Sequence, residues 1–145
     1  MLVAQISDTH LIAPGGPGRF GEEKLIALEK CIEVINNLDT RPDVVIHTGD
    51  LSNNGSSDEL LLAKKYLDKL VVPYYVTPGN KDCTKKLIEV FAEQLGDVVL
   101  DGPVTYLVEN LPIKLASLDT TTSLGSRGLL DFKKIAAIDK ILSMH

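Results

Sequence analysis

The sequence has no surplus of positive charge: 15 Lys and Arg stand against 20 Asp and Glu, a net charge of -5 over 145 residues. Without excess cation to neutralise a row of phosphates, a nucleic-acid polymer is excluded as the main partner. The pairs Lys64-Lys65, Lys85-Lys86 and Lys133-Lys134 fall in helical patterns and read as solvated faces, not a binding stripe. Cysteine is scarce. Cys31 and Cys83 have neither metal-site nor disulfide spacing. Cys31 sits among helical apolar positions as a small core residue, and Cys83 reads as structural. The opening "MLVAQISDTH" carries no basic region and only a short apolar run, so no signal peptide is visible. No apolar run approaches membrane-spanning length. The expectation is a cytoplasmic protein without a membrane partner. Repeats, low-complexity tracts and interdomain linkers are also missing, and 145 residues suit one domain with a sizeable core.

What the chain does have is alternation. "MLVAQIS" reads as a buried strand ending at Asp8, and "LIAPGGPGRFG" as a loop. Leu25, Leu28, Ile32, Ile35 and Leu38 recur at spacings of three and four, which predicts an amphipathic helix over Lys24 to Leu38. "DVVIHTGD" is a second strand. Ser56 and Glu59 form a capping box before a helix reaching about Leu70. "VVPYYVTP" is a third strand, followed by a helix from about Thr84 to Leu95. This order predicts an α/β fold with a mainly parallel sheet and right-handed crossovers. "TYLVENLPIKLASLD" then reads as two strands around a tight Asn110-Leu111-Pro112 connection, an antiparallel extension that makes the sheet mixed. Phe132, Ile135, Ile138 and Leu142 mark a last helix.

Ligands of open parallel sheets bind beyond the carboxyl ends of the strands. Here the three strands end in Asp8-Thr9-His10, Gly49-Asp50 and Gly79-Asn80. If strand geometry continues for one more residue, its period of two puts Asp8 and His10 on one side. A carboxylate and an imidazole so placed can share a divalent ion. Asp50 can bridge that ion to a second, and Asn80 can add an amide oxygen. Taken singly, each of these signals is more often a turn or a helix cap. Three of them in this order, each at the end of a different strand, favour a metal site.

The blocks "ISDTHL", "PDVVIHTGDLSNNG" and "VTPGNKD" resemble the first three motifs of the calcineurin-like metallophosphoesterases. The likeness is to their bacterial branch of cyclic-nucleotide and glycerophosphodiester phosphodiesterases, to which "LDTTTSLGSRGLLD" is also similar. The resemblance implies the amino-terminal half of an αββα sandwich and metal-dependent hydrolysis of a small phosphodiester, such as a cyclic nucleotide or a glycerophosphodiester. A hydroxide bridging two divalent ions (Mn, Fe or Zn) would attack phosphorus. It also implies that Asp8 and His10 bind the first metal, that Asp50 bridges both, and that Asn80 binds the second while its amide faces the phosphate. Asp82 would support the site or cap a helix, not ligate.

Two departures from the family pattern shape the expectation. Where the family has His after the Asn, this chain has Lys81. A Lys ammonium binds phosphate as a point charge, but a pKa of about 10.4 suits proton transfer poorly. The catalytic candidates are thus Asn80 and Lys81. The family's later His motifs also lie beyond His145, so residues 1–145 read as a truncated domain. Two ions need roughly ten to twelve donor positions, and Asp8, His10, Asp50 and Asn80 supply about half. The expectation is one weakly held ion or none and impaired activity; the alternative is an inactive remnant or a binding subunit. His47, inside its strand, reads as a packed residue facing away from the ligands, and His145 as a frayed end. Arg19 and Phe20 read as a rim over the site. The strands are apolar on both faces, as doubly covered strands are. With helices enough for only part of that surface, a homo-oligomer is expected.

Overall fold

Short β-branched runs and amphipathic segments alternate along the chain, and each forms the element its pattern favours. A computed structural model describes residues 1–95, 102–122 and 125–143. Strand β1 (Val3–Ile6) leads through helix α1 (Gly21–Asn36) to β2 (Val44–His47). Helix α2 (Ser57–Leu67) returns to β3 (Tyr74–Val76), and α3 (Thr84–Val90) and α4 (Ala92–Leu95) follow. Strands β4 (Tyr106–Val108) and β5 (Leu115–Ser117) precede helix α5 (Phe132–Ser143).

The strands β1, β2 and β3 pair in parallel and in sequence order. Two right-handed crossovers stepping the same way put both helices on one face of the sheet, and α1 and α2 are in contact. The register aligns Ala4 with Val45 and Tyr74, and Ile6 with His47 and Val76. That face is closed by Leu28, Ile32, Ile35, Leu60 and Leu67, all buried. The capping box forms as expected, with Ser56 Oγ accepting from Glu59 N–H and the Glu59 carboxylate accepting from Ser56 N–H. Glu59 itself is buried, and its carboxylate also takes the Asn54 N–H and side-chain amide, which ties the β2–α2 loop to the helix.

Several expectations need correction. The antiparallel pair does not extend the parallel ladder; among the described residues β4 and β5 form their own two-stranded sheet. Side chains dock it instead: Tyr106 Oη donates to the Val76 carbonyl at 2.7 Å, and Thr77 Oγ1 lies 2.8 Å from Ser117 Oγ. Their connection spans the residues between Val108 and Leu115, longer than the tight turn read from Asn110-Leu111-Pro112. The helix after β3 breaks at Phe91, whose buried ring meets Tyr74 edge-on at 6.5 Å. The apolar stripe of α5 buries no residue, and Phe132 is 92% exposed. On the face of the sheet away from α1 and α2, Gln5 is exposed and Ile46 and Tyr75 are half-buried.

Candidate metal centre

Strand β1 ends at Ile6, so Asp8 and His10 do not converge through strand alternation. Both residues have left-handed backbone, with φ of 57° and 44°, and Asp50 has φ of 54°. Among the described residues, Phe20 alone of the other non-glycine residues has positive φ. Such conformations cost about 1–3 kcal/mol each and persist only where the surroundings hold them. Here the loop after β1 runs beside the loop after β2. Asp8 N–H donates to the Gly49 carbonyl at 3.1 Å, His10 N–H to Asp50 at 2.9 Å, and Leu11 N–H to Leu51 at 2.9 Å.

This path brings three donors together. Ligand atoms of Asp8, His10 and Asp50 lie within 4.8 Å of one another. His10 Nε2 stands 3.7 Å from Asp8 Oδ1 and 3.5 Å from Asp50 Oδ2. The side chain of Asp8 is 66% exposed and that of Asp50 13%, so the cluster opens to solvent on the Asp8 side. Two carboxylates and one imidazole at these separations suit a divalent first-row ion. Ser7 Oγ also donates to Asp8 Oδ2.

Asp50 is oriented from the third strand. Its Oδ1 accepts the Lys81 backbone N–H at 2.8 Å, while Oδ2 faces His10. A Cβ at Gly79 would stand 2.1 Å from Asp50 Oδ1 and 2.2 Å from Asp50 N, so only glycine fits. Asn80 is exposed, between Gly79 and Lys81, both of which touch Asp50 through backbone atoms. Asn80 lines a polar cavity with Asp82, Thr84, Thr121 and Thr122, and Asp8, His10 and Asp50 are not among the residues that line it. The Lys81 side chain is exposed. Arg19 and Phe20 are exposed as well, Phe20 at 65%, on the loop before α1. His145 lies outside the described residues.

Of the two roles expected of Asp82 the supporting one is observed, and only the polar role of His47 was missed in the sequence. Asp82 accepts four hydrogen bonds, from Leu51 N–H at 3.1 Å, Ser52 N–H at 2.8 Å, Ser52 Oγ at 2.6 Å and Gly79 N–H at 2.9 Å. It laces the ends of β2 and β3 together and does not cap α3, whose cap position is Cys83. His47 is packed, as its pattern predicted, at 1% exposure. Both of its ring nitrogens nevertheless reach polar partners: Gly49 N–H donates to Nδ1 at 3.3 Å, and Nε2 lies 3.1 Å from Thr9 Oγ1. Burial pushes its pKa down to about 4, against the opposing pull of the Asp8 and Asp50 carboxylates. The available signal was its period-two position opposite Ile6 and Val76, where a ring with two nitrogens must find partners.

The chain is 35% identical, over 143 residues, to a probable glycerophosphodiester phosphodiesterase GpdQ of Arcobacter nitrofigilis, covering 99% of this chain and 52% of that protein. It is 28% identical over 153 residues to the glycerophosphodiester phosphodiesterase GpdQ of Enterobacter lignolyticus, with the same coverage of both chains. It is 33% identical over 82 residues to the 3',5'-cyclic adenosine monophosphate phosphodiesterase CpdA of Pseudomonas aeruginosa, covering 57% of this chain and 30% of that one. The chain thus spans about half the length of the two GpdQ relatives. No helix among the described residues is long and apolar enough to cross a membrane. The family model for calcineurin-like phosphoesterases matches residues 1–143, and the chain belongs to that family.

Proposed function

We propose that the chain carries part of the active site of a metal-dependent phosphodiesterase, with Asp8, His10, Asp50 and Asn80 as metal ligands. The observation that carries this reading is the convergence of Asp8, His10 and Asp50 where the β1 and β2 loops meet. A divalent ion there supplies Lewis acidity and lowers the pKa of water. The chain's own residues do the rest. Asp8, His10 and Asp50 hold the ion, the Asn80 amide orients the phosphodiester, and the Lys81 ammonium attracts its charge. The substrate class we favour is a glycerophosphodiester or a cyclic nucleotide, because relatives over most or part of the chain carry those names.

A second reading, a module that binds metal weakly without turnover, is favoured by the donor count. Among His, Cys, Asp and Glu of the described residues a single cluster of three emerges, too few for two ions. One pair of measurements separates the readings. Titration with Mn²⁺ should show binding that Asp50→Ala sharply reduces, and an unchanged isotherm for that variant would refute the site. Metal-dependent hydrolysis of bis(p-nitrophenyl) phosphate by the same chain supports the enzyme, whereas binding without turnover supports the module. For the compartment we retain the cytoplasm as a proposal. Self-association is likewise proposed, with a second copy against the sheet face away from α1 and α2, where Gln5 is exposed and Ile46 and Tyr75 are half-buried. Light scattering that finds a monomer at micromolar concentration would rule it out.

A further inference from the structure

We propose that His47 is a positioning residue for the metal centre, fixing the backbones that carry Asp8, His10 and Asp50 through one directed chain of hydrogen bonds. This rests on the metal-site reading above. The direction of the chain follows from its donors. A backbone N–H can only donate, so Gly49 N–H at 3.3 Å makes Nδ1 the acceptor. The neutral ring then carries its proton on Nε2, which donates to Thr9 Oγ1 at 3.1 Å. The Thr9 hydroxyl spends its own proton on the Leu51 carbonyl at 3.1 Å.

The targets are what make this more than a satisfied core histidine. Thr9 separates Asp8 from His10, and Gly49 and Leu51 flank Asp50. One imidazole is therefore bonded to the residue between Asp8 and His10 and to the residue before Asp50, and Thr9 carries the chain on to the residue after Asp50. Asp8, His10 and Asp50 all hold left-handed backbone, which needs such restraint. Thr9 turns its hydroxyl to the buried side, while Asp8 and His10 meet Asp50 at the surface. His47 sits in register between Ile6 and Val76, both apolar and buried, where a ring that only filled space would be better replaced by leucine.

The test uses Co²⁺ at pH 7.5, read both as affinity and as the visible absorption spectrum, which reports ligand geometry. The wild type should bind, and Asp50→Ala should abolish binding. His47→Leu and Thr9→Val should each weaken Co²⁺ about 10–100-fold, the usual cost of losing a partner behind a ligand. Each should also alter the spectrum, and the double variant should be little worse than either, because both interrupt one chain. His47→Gln, whose amide NH₂ reaches the Nε2 position, should restore affinity and spectrum. His47→Asn, which reaches only the Nδ1 position, should not. Circular dichroism confirms folding, and if the leucine variant does not fold, Thr9→Val and the Gln–Asn pair decide. Loss of binding in Asp50→Ala with wild-type affinity and spectrum in Thr9→Val and His47→Asn would overturn the positioning role and leave the site intact. No Co²⁺ uptake by the wild type, or none lost in Asp50→Ala, would overturn the site and the positioning role with it.

Discussion

Acid should destabilise this fold through His47. Its pKa lies near 4 in the folded chain and near 6.5 in an unfolded one, because burial disfavours the imidazolium. Above pH 6.5 the ring is neutral in both states and contributes nothing to the pH dependence. Between pH 6.5 and 4 the unfolded chain binds a proton that the folded chain refuses, so stability falls as pH falls. Two and a half units at 1.36 kcal/mol each make a loss of about 3 kcal/mol by pH 4, a large share of the stability of a small domain. The groups facing the ring are Asp8, Asp50 and His10; the two carboxylates oppose the depression and His10 adds to it. Urea denaturation from pH 7.5 to 4, in chelator so that no added cation acts on the ring, measures the effect. Other groups also titrate in this range, so the comparison is with His47→Gln, which keeps a hydrogen-bonding amide but does not ionise. The wild type should lose about 3 kcal/mol more than the variant across that window. Parallel pH profiles would refute the reasoning, showing that His47 reaches water or a proton acceptor in the folded chain.

Three further substitutions follow from the contacts around Asp50 and α2. Gly79→Ala puts a methyl group 2.1 Å from Asp50 Oδ1, so it should cost roughly 1–3 kcal/mol in urea denaturation and weaken metal uptake; an unchanged midpoint and titration would mean that the β3 turn moves away freely. Asp82→Asn keeps one acceptor oxygen and turns the other into a donor facing the N–H groups of Leu51 and Gly79, losing two charge-assisted bonds and about 3 kcal/mol by the same measurement. Ser56→Ala removes the acceptor for Glu59 N–H and should cost about 1 kcal/mol without affecting metal binding, which makes it a control for stability loss alone.

Much of the fold was legible because the relevant signals are local. The spacing of Leu28, Ile32 and Ile35 names the buried face of α1, and Ser56 with Glu59 names the start of α2 within one residue. What failed depended on tertiary context. The break at Phe91 leaves no mark in an apolar helical pattern; it arises where that ring is buried against Tyr74. The hairpin's strands were visible, but whether they join the parallel ladder is decided by contacts such as Tyr106 Oη to Val76, which no strand pattern encodes. The stripe on α5 predicted burial and found none, because periodicity states what a face would bury and not whether anything covers it.

The clustering of Asp8, His10 and Asp50 was legible in the sequence, and its geometry was not. Three polar strand ends in order pointed to Asp8, His10, Asp50 and Asn80, yet the reason first offered, strand alternation through Asp8 and His10, is not how the first two meet Asp50. Left-handed backbone at both residues turns their side chains to Asp50 and sends Thr9 inward to His47. A residue with a side chain in that conformation resembles any other in a sequence, whereas the glycines that allow it are conspicuous. Gly49, at φ of 108°, packs against Gly79, and Gly79 leaves room for Asp50. The strain at Asp8, His10 and Asp50 is therefore held by groups that sequence reading treats as background: two glycines, the Asp82 carboxylate and a buried imidazole. Removing these supports should loosen Asp8, His10 and Asp50 before it unfolds the sheet, because Val44, Val45 and Val76 are fully buried within the strands.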